Sequence, residues 1–290
     1  MKNIEIVLEE GVDLSKVLQV QKHDPEGKLE AAQAAEQELH SRGPLMKFAM
    51  SIPAFRWVYL KLNEKKGPWP YWIQRTDETR IQVCAKYMME HYDEEWEITE
   101  KLDGQSATFF VHPMRVWGFN RNQFGVCSRK IWLKKPSDSK YWQTARKYNL
   151  EEILRILGRD VYIQAEQCGP GIQKNKYQLK ELDLYVFNLV VNGKRLSQIE
   201  SKYYLDSHGL KAVPLLKESF IPKKEIGENK TVMEVVQYMV KMSQGDSTLL
   251  KRPREGIVCR LKSNPEVSLK VINPEFKMEQ EKDEDEEGQE

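Results

Sequence analysis

The stretch Trp96-Glu97-Ile98-Thr99-Glu100-Lys101-Leu102-Asp103-Gly104 decides how this chain is read. Its opening residues alternate between apolar and polar, and the apolar run Ala107-Thr108-Phe109-Phe110-Val111 follows. Alternation rich in β-branched and aromatic residues predicts strand on both sides. Lys101 then falls at a strand end, close to a glycine that lets backbone come near a ligand. A lysine fixed there is a candidate nucleophile, because lysine, unlike arginine, gives up its proton when burial or a nearby cation lowers its pKa. The K-x-D-G pattern alone carries little, since it arises by chance in roughly one chain in fifteen of this length. Its competing reading is a hairpin turned by Asp103-Gly104. Later stretches separate the two.

At 290 residues, with 40% apolar and 31% charged content, the chain allows one large or two modest domains with a real core. No apolar run approaches a membrane span, and Leu184 to Val191 carries Asn188. The N-terminus is acidic and lacks the apolar core of a secretory signal, so an intracellular, cytosolic protein is expected. Cys84, Cys127, Cys168 and Cys259 are scattered without a C-x-x-C pair, which fits reduced thiols, and the five histidines show no ligand spacing. The net charge of +1 conceals an asymmetry. Residues 279–290 hold eight acids and one base, which leaves 44 bases against 36 acids in residues 1–278. A basic body suits a polyanionic partner, and the acidic tail is a candidate protein contact or solubility element.

Residues 1–45 form a peripheral segment, with a helix predicted over Lys28 to His40. Residues 46–75 are aromatic; Trp57, Trp69, Tyr71 and Trp72 have the chemistry to stack on bases, but packing is the commoner fate of such residues. Thr76-Asp77 is expected to cap a helix from Glu78 to His91, with Ile81, Cys84, Tyr87 and Met88 on one face. Residues 128–149 hold seven bases and one acid, interleaved with Trp132, Tyr141, Trp142 and Tyr148. That pattern suits a nucleic-acid backbone as well as it suits a solvated loop and helix with inward aromatics. A short helix from Asn149 stops at Gly158, and the strand Asp160 to Glu166 leads into the fixed turn Gly169-Pro170-Gly171. Leu184 to Val191 reads as a buried strand. Thr231 and Glu234 make a capping box for a helix to Ser243. Ser268 to Ile272 is a final strand, and residues 277–290 form an acidic tail with a disordered composition.

In order, the chain thus presents EKLDG (100–104), CSR (127–129), AEQCGPGIQ (165–173), LYVFN (184–188), EGIV (255–258) and SLKVINPEF (268–276). This series resembles the covalent nucleotidyltransferases, the superfamily of ATP-dependent ligases and mRNA capping enzymes. Within it, the run from Gly169 to Tyr177 and the N-P-x-F ending at Phe276 resemble the RNA ligase 2 branch. The resemblance covers residues 75–276 and implies an α+β nucleotidyltransferase fold over residues 46–276. In that fold twisted antiparallel sheets surround an ATP cleft, with helices at the periphery. It also implies ATP and Mg2+ or Mn2+ as cofactors and a lysyl–AMP intermediate on Lys101. AMP then passes to an RNA 5′-phosphate, and an RNA 3′-hydroxyl displaces it, with a monomer acting at nicks in a duplex. By the same resemblance Glu100, Asp103, Gly104, Arg129, Glu166, Phe187 and Lys270 bind nucleotide: Arg129 at the phosphates or the RNA 5′ end, Glu166 at the ribose, Phe187 against adenine, and Lys270 at the α-phosphate. Glu255 helps hold the metal. Lys130, Lys134 and Lys135 are candidates for RNA contact.

Two departures stand out. Many members carry a second lysine two residues after the first in the last motif, where this chain has Ile272. Ligases of this type also often carry a further C-terminal domain that grips the duplex; this sequence stops 14 residues after Phe276, so grip is expected from residues 128–149 and the N-terminal aromatics. The rival readings are a compact ATP-dependent DNA ligase, a capping guanylyltransferase and a non-catalytic RNA-end-binding protein.

Overall fold

The computed structural model describes residues 65–116 and 119–278, with a few positions between 49 and 59. Contacts divide the chain into two compact units, residues 1–65 and 66–290. The helix expected over 28–40, Trp57 and the acidic tail at 279–290 lie outside the described residues.

Among the described residues of the second unit, two sheets form. The first contains β1 (Lys66–Pro68), β4 (Gln105–Val116), β5 (Phe119–Ser128), β6 (Ile131–Leu133), β7 (Val161–Cys168), β8 (Asp183–Val191), β9 (Lys194–Arg195) and β10 (Lys211–Ala212). Its order is β1-β6-β5-β4-β7-β8-β10, with β9 also paired to β8. The second sheet contains β2 (Thr79–Arg80), β3 (Trp96–Lys101), β11 (Leu215–Phe220), β12 (Gly256–Leu261) and β13 (Ser268–Ile272), ordered β11-β3-β12-β13-β2. Pairing is antiparallel except at β10–β8 and β13–β2. The class is α+β, as the sequence predicts.

Helices α1 (Ile81–Glu90), α2 (Lys140–Lys147), α3 (Leu150–Leu157), α4 (Gln198–Ser207), the single turn α5 (Pro222–Glu225) and α6 (Val232–Ser243) accompany these sheets among the described residues. Residues 274–278 are helical too, so the first two residues assigned to the acidic tail belong to a helix. None is long and apolar enough to cross a membrane. Ala107, Phe109 and Val111 of β4 join Leu150 and Leu154 of α3 in one core. Trp96 and Ile98 of β3 join Ile81 and Met88 of α1 and Val235 and Met239 of α6 in another. Each sheet therefore turns an apolar face to helices. The capping box of α6 forms as expected, with Thr231 and Glu234 each bonding the other's backbone N–H.

The structure decides several readings that residue order left open or misplaced. The Asp103-Gly104 turn does not make a hairpin, because β3 pairs with β11 and β12 while β4 pairs with β5 and β7. The K-x-D-G stretch crosses from one sheet to the other. Gly104 is required at that crossing, since a Cβ there would lie 2.5 Å from the Gln167 carbonyl oxygen. Helix α1 starts at Ile81 rather than Glu78, with Arg80 as an N-cap that makes no side-chain bond. Thr76 and Asp77 are engaged elsewhere, by Ser106 and Arg129, and Tyr87 is exposed while Ala85 takes its place on the buried face. Trp132 and Trp142 pack inward, Trp132 against Phe110 and Trp142 in the helix-covered core. Trp69 and Trp72 pack against the same group as Trp132, which leaves Tyr71 exposed.

Candidate active site

Between the two sheets lies a cleft of about 520 Å³. Lys101, at the end of β3, projects into it. Glu255 reaches the same point because Gly256 opens β12 beside β13, where any Cβ would overlap the Val271 carbonyl. Lys101 Nζ donates to Glu255 Oε1 at 2.5 Å. Burial by itself would lower the Lys101 pKa, but Glu255 in contact, with Glu166 and Glu78 nearby, outweighs it and raises the value. The contact with Glu255 thus favours the ammonium form. The Glu255 carboxyl is pushed up by burial against the pull of Lys101, and its Oε2 is buried without a hydrogen-bond partner.

The other cleft walls carry most of the residues singled out in the sequence. Glu166, on β7 opposite Ser106 of β4, has its carboxyl pushed up to about 8 by burial, with Lys101 opposing and Glu255 and Asp103 reinforcing. Phe187, half-buried on β8, lines the cleft. Lys270 of β13 sits across from Val258, and burial followed by repulsion from Lys101 lowers its pKa. Arg129 stands at the exposed mouth, paired with Asp77 at 2.5 Å. Glu100 is buried and accepts from the backbone N–H and hydroxyl of Thr248, leaving Oε1 without a partner. Lys130, Lys134 and Lys135 do not line the cleft: Lys130 is exposed beyond β5, and Lys134 lies over the Trp132 ring at 5.6 Å.

The two stretches that pointed to one branch of ligases converge on the K-x-D-G loop. The Asp103 backbone N–H donates to the Tyr177 hydroxyl at 2.8 Å. Lys176 pairs with the Asp103 carboxylate at 2.7 Å, and its Nζ lies 4.3 Å from the centre of the Phe276 ring. Asn273, fully buried, donates its backbone N–H to the Glu255 carbonyl and its side-chain amide to that of Arg254. Lys176 was within reach of sequence reasoning, as a charged residue inside the quoted run. Asp77 and Glu78 read in the sequence only as the start of a helix, and residue order gives no signal for Gln198. Arg260 had a signal, since a charge within the apolar strand GIVCRL must face something polar.

Across residues 94–272 the chain matches the sequence model of a family described as RNA ligase. Solved structures agree. An RNA ligase from Naegleria gruberi with PPi is 27% identical, with a TM-score of 0.63, covering 75% of this chain and 60% of that one. A mutant of the same ligase with ATP and Mn gives the same figures, and a further mutant, apo, has a TM-score of 0.61 and covers 72% and 58%. The chain thus spans under two thirds of the length of these ligases. No curated protein matches it by sequence.

Proposed function

The chain belongs to the RNA ligase family, and from that membership we propose that it is an ATP-dependent RNA ligase joining RNA 3′-hydroxyl and 5′-phosphate ends, with its catalytic domain within residues 46–276 and nicked duplexes as its substrate. The observation that carries this reading is the contact of Lys101 with Glu255 in a cleft that Glu166, Phe187, Arg129 and Lys270 also line.

The Lys101 amine attacks the α-phosphorus of ATP. An N–P bond forms, the α–β bridging P–O bond breaks, and pyrophosphate departs with the electron pair. The 5′-phosphate oxygen of RNA then takes AMP from the lysine, and a 3′-hydroxyl displaces AMP to form the phosphodiester. Negative charge builds on phosphate oxygens in each step, and Lys270 and Arg129 supply fixed positive charge along the cleft. The ion pair with Glu255 favours the protonated amine; once Glu255 turns to another cation, the ammonium gives its proton to water and the free amine attacks.

A divalent cation, Mg2+ or Mn2+, fits the donor set. Glu255 Oε2 is a buried oxygen without a partner, and the described residues hold no group of three or more side chains able to cage a metal. Hard cations of this kind accept one carboxylate with phosphate oxygens and water. Bound there, the cation would neutralise phosphate charge as a Lewis acid.

The test is incubation with α-labelled ATP and magnesium, followed by a denaturing gel and mass spectrometry. Covalent AMP on Lys101, absent in Lys101→Ala, is expected. Folded protein that binds RNA yet takes up no label would overturn the reading in favour of a non-catalytic RNA-end binder. Sealing of nicks with a ribose rather than a deoxyribose 3′-hydroxyl strand then separates RNA from DNA ligation.

A further inference from the structure

Phe187 interrupts its own strand. In the β7–β8 ladder Gln164 faces Asn188 and Ala165 faces Val186, so Phe187 is an extra residue with no partner. A bulge of this kind re-aims a side chain and removes its backbone from the ladder. The freed carbonyl has two buried donors instead. Gln198 Nε2, at the start of α4, donates to it at 2.7 Å. Arg260 Nη1 donates to it at 3.3 Å from β12, in the opposite sheet.

The same residues tie the sheets together at this point. The Gln198 backbone N–H donates to Glu97 Oε2 of β3 at 3.1 Å. Glu97 faces Arg260 across the β3–β12 pair, and Arg260 Nη2 lies 3.7 Å from Glu78 Oε1. Arg260 is only 3% exposed, yet its Nε and Nη2 have no hydrogen-bond partner. A guanidinium retained for stability alone would be fully satisfied, and apolar side chains of similar size usually serve stability as well. Arg260 also lines the cleft, two residues beyond Val258 on the same face of β12.

We infer that Arg260 and Gln198 are positioning residues for the nucleotide base: by holding the bulged carbonyl of Phe187 from two sides, they fix the ring that stacks on the base and the width of the slot between the sheets. This rests on the reading of the cleft as an ATP site. The polar pair, rather than the phenyl ring alone, then sets how tightly the base is held, while the phosphate end near Lys101 and Lys270 is independent of it.

The test compares ATP and pyrophosphate as probes on the full chain. For Arg260→Gln and Gln198→Ala, the half-saturating ATP for lysyl–AMP formation is expected to rise at least about tenfold, as for loss of a hydrogen bond involving a charged or buried group. The maximal rate, and the half-saturating pyrophosphate for releasing ATP from preformed lysyl–AMP, should stay within about twofold on the scale of uncoupled sites. Combining either change with Phe187→Leu should add little, because both act through one ring. Equal shifts for ATP and pyrophosphate, full additivity with Phe187→Leu, or an unchanged ATP requirement would each overturn the inference. Gln198→Ala decides the matter if Arg260→Gln fails to fold. Wild-type protein that forms no lysyl–AMP would instead overturn the ligase reading itself, a separate outcome.

Discussion

The two faces of the second sheet are built from the same strands and have opposite physics. On the outer face Trp96, Ile98, Ile257, Cys259 and Val271 pack against α1 and α6 with almost no exposed surface. On the inner face Thr99, Lys101, Val258, Arg260 and Lys270 line the cleft, and Glu97 accepts from the Gln198 backbone N–H. Glu97 and Arg260 are as buried as the apolar residues behind them, 4% and 3% exposed. Burying charge costs several kcal/mol per ion unless partners compensate. Apolar burial on the outer face therefore has to offset what the inner face costs, and stability and chemistry are divided between two sides of one sheet.

The sharpest way to break the comparison is on the inner face. Lys101→Ala should abolish label transfer from ATP while leaving the outer core intact, so the thermal transition should remain cooperative; calorimetry beside the adenylylation assay reads both. On the outer face Trp96→Ala should cost about 3–5 kcal/mol of stability, as for a large buried aromatic. Protein that remains folded should still adenylylate. Denaturant melts at two temperatures, followed by activity of the folded fraction, check this.

An intermediate effect is expected where the K-x-D-G loop is held. Lys176→Met removes the partner of Asp103 from a pair whose side chains are 10% and 15% exposed. Breaking such a pair should cost about 3 kcal/mol. The rate of lysyl–AMP formation should fall with it, and Asp103→Asn in the same background should restore part of the stability by removing the unpaired charge.

A subtler effect is pH-dependent. Burial raises the Glu166 carboxyl in the folded chain to about 8, from an ordinary value of 4.5. Between those values the folded chain holds a proton that the unfolded chain has lost, so stability falls as pH rises across that window. One such proton gives a slope of up to about 1.4 kcal/mol per pH unit. Glu166→Gln should flatten urea midpoints over that range; an unchanged slope would place the titration elsewhere. The smallest effect belongs to the surface. Lys202→Ala removes an exposed i,i+4 pair with Asp206 on α4, and exposed pairs of this kind contribute about 0.3–0.5 kcal/mol.

Much of this was legible in residue order. The alternation at Trp96–Thr99 and Ala107–Val111 marked real strands, the Thr231–Glu234 box marked the start of α6, and Gly158 marked the end of α3. The spaced motifs resemble those of a ligase family whose sequence model the chain matches. The aromatic and basic stretch at 128–149 was less legible, because composition does not say which way a tryptophan points; Trp132 and Trp142 are core residues here.

The sequence by itself determined the strands, the nucleophile candidate and the residue types around it, because period-two patterning and turn chemistry are local. Only the tertiary structure decided that Asp103-Gly104 joins two sheets rather than two strands of one hairpin. The same holds for the polar faces of β3 and β12, which meet a second sheet instead of water. The bulge at Phe187, the grip of Lys176 on Asp103 and the support of Asn273 for Glu255 likewise join residues separated by between 18 and 73 positions. Such pairings are set by which surfaces the two cores bring together, and no local pattern encodes them.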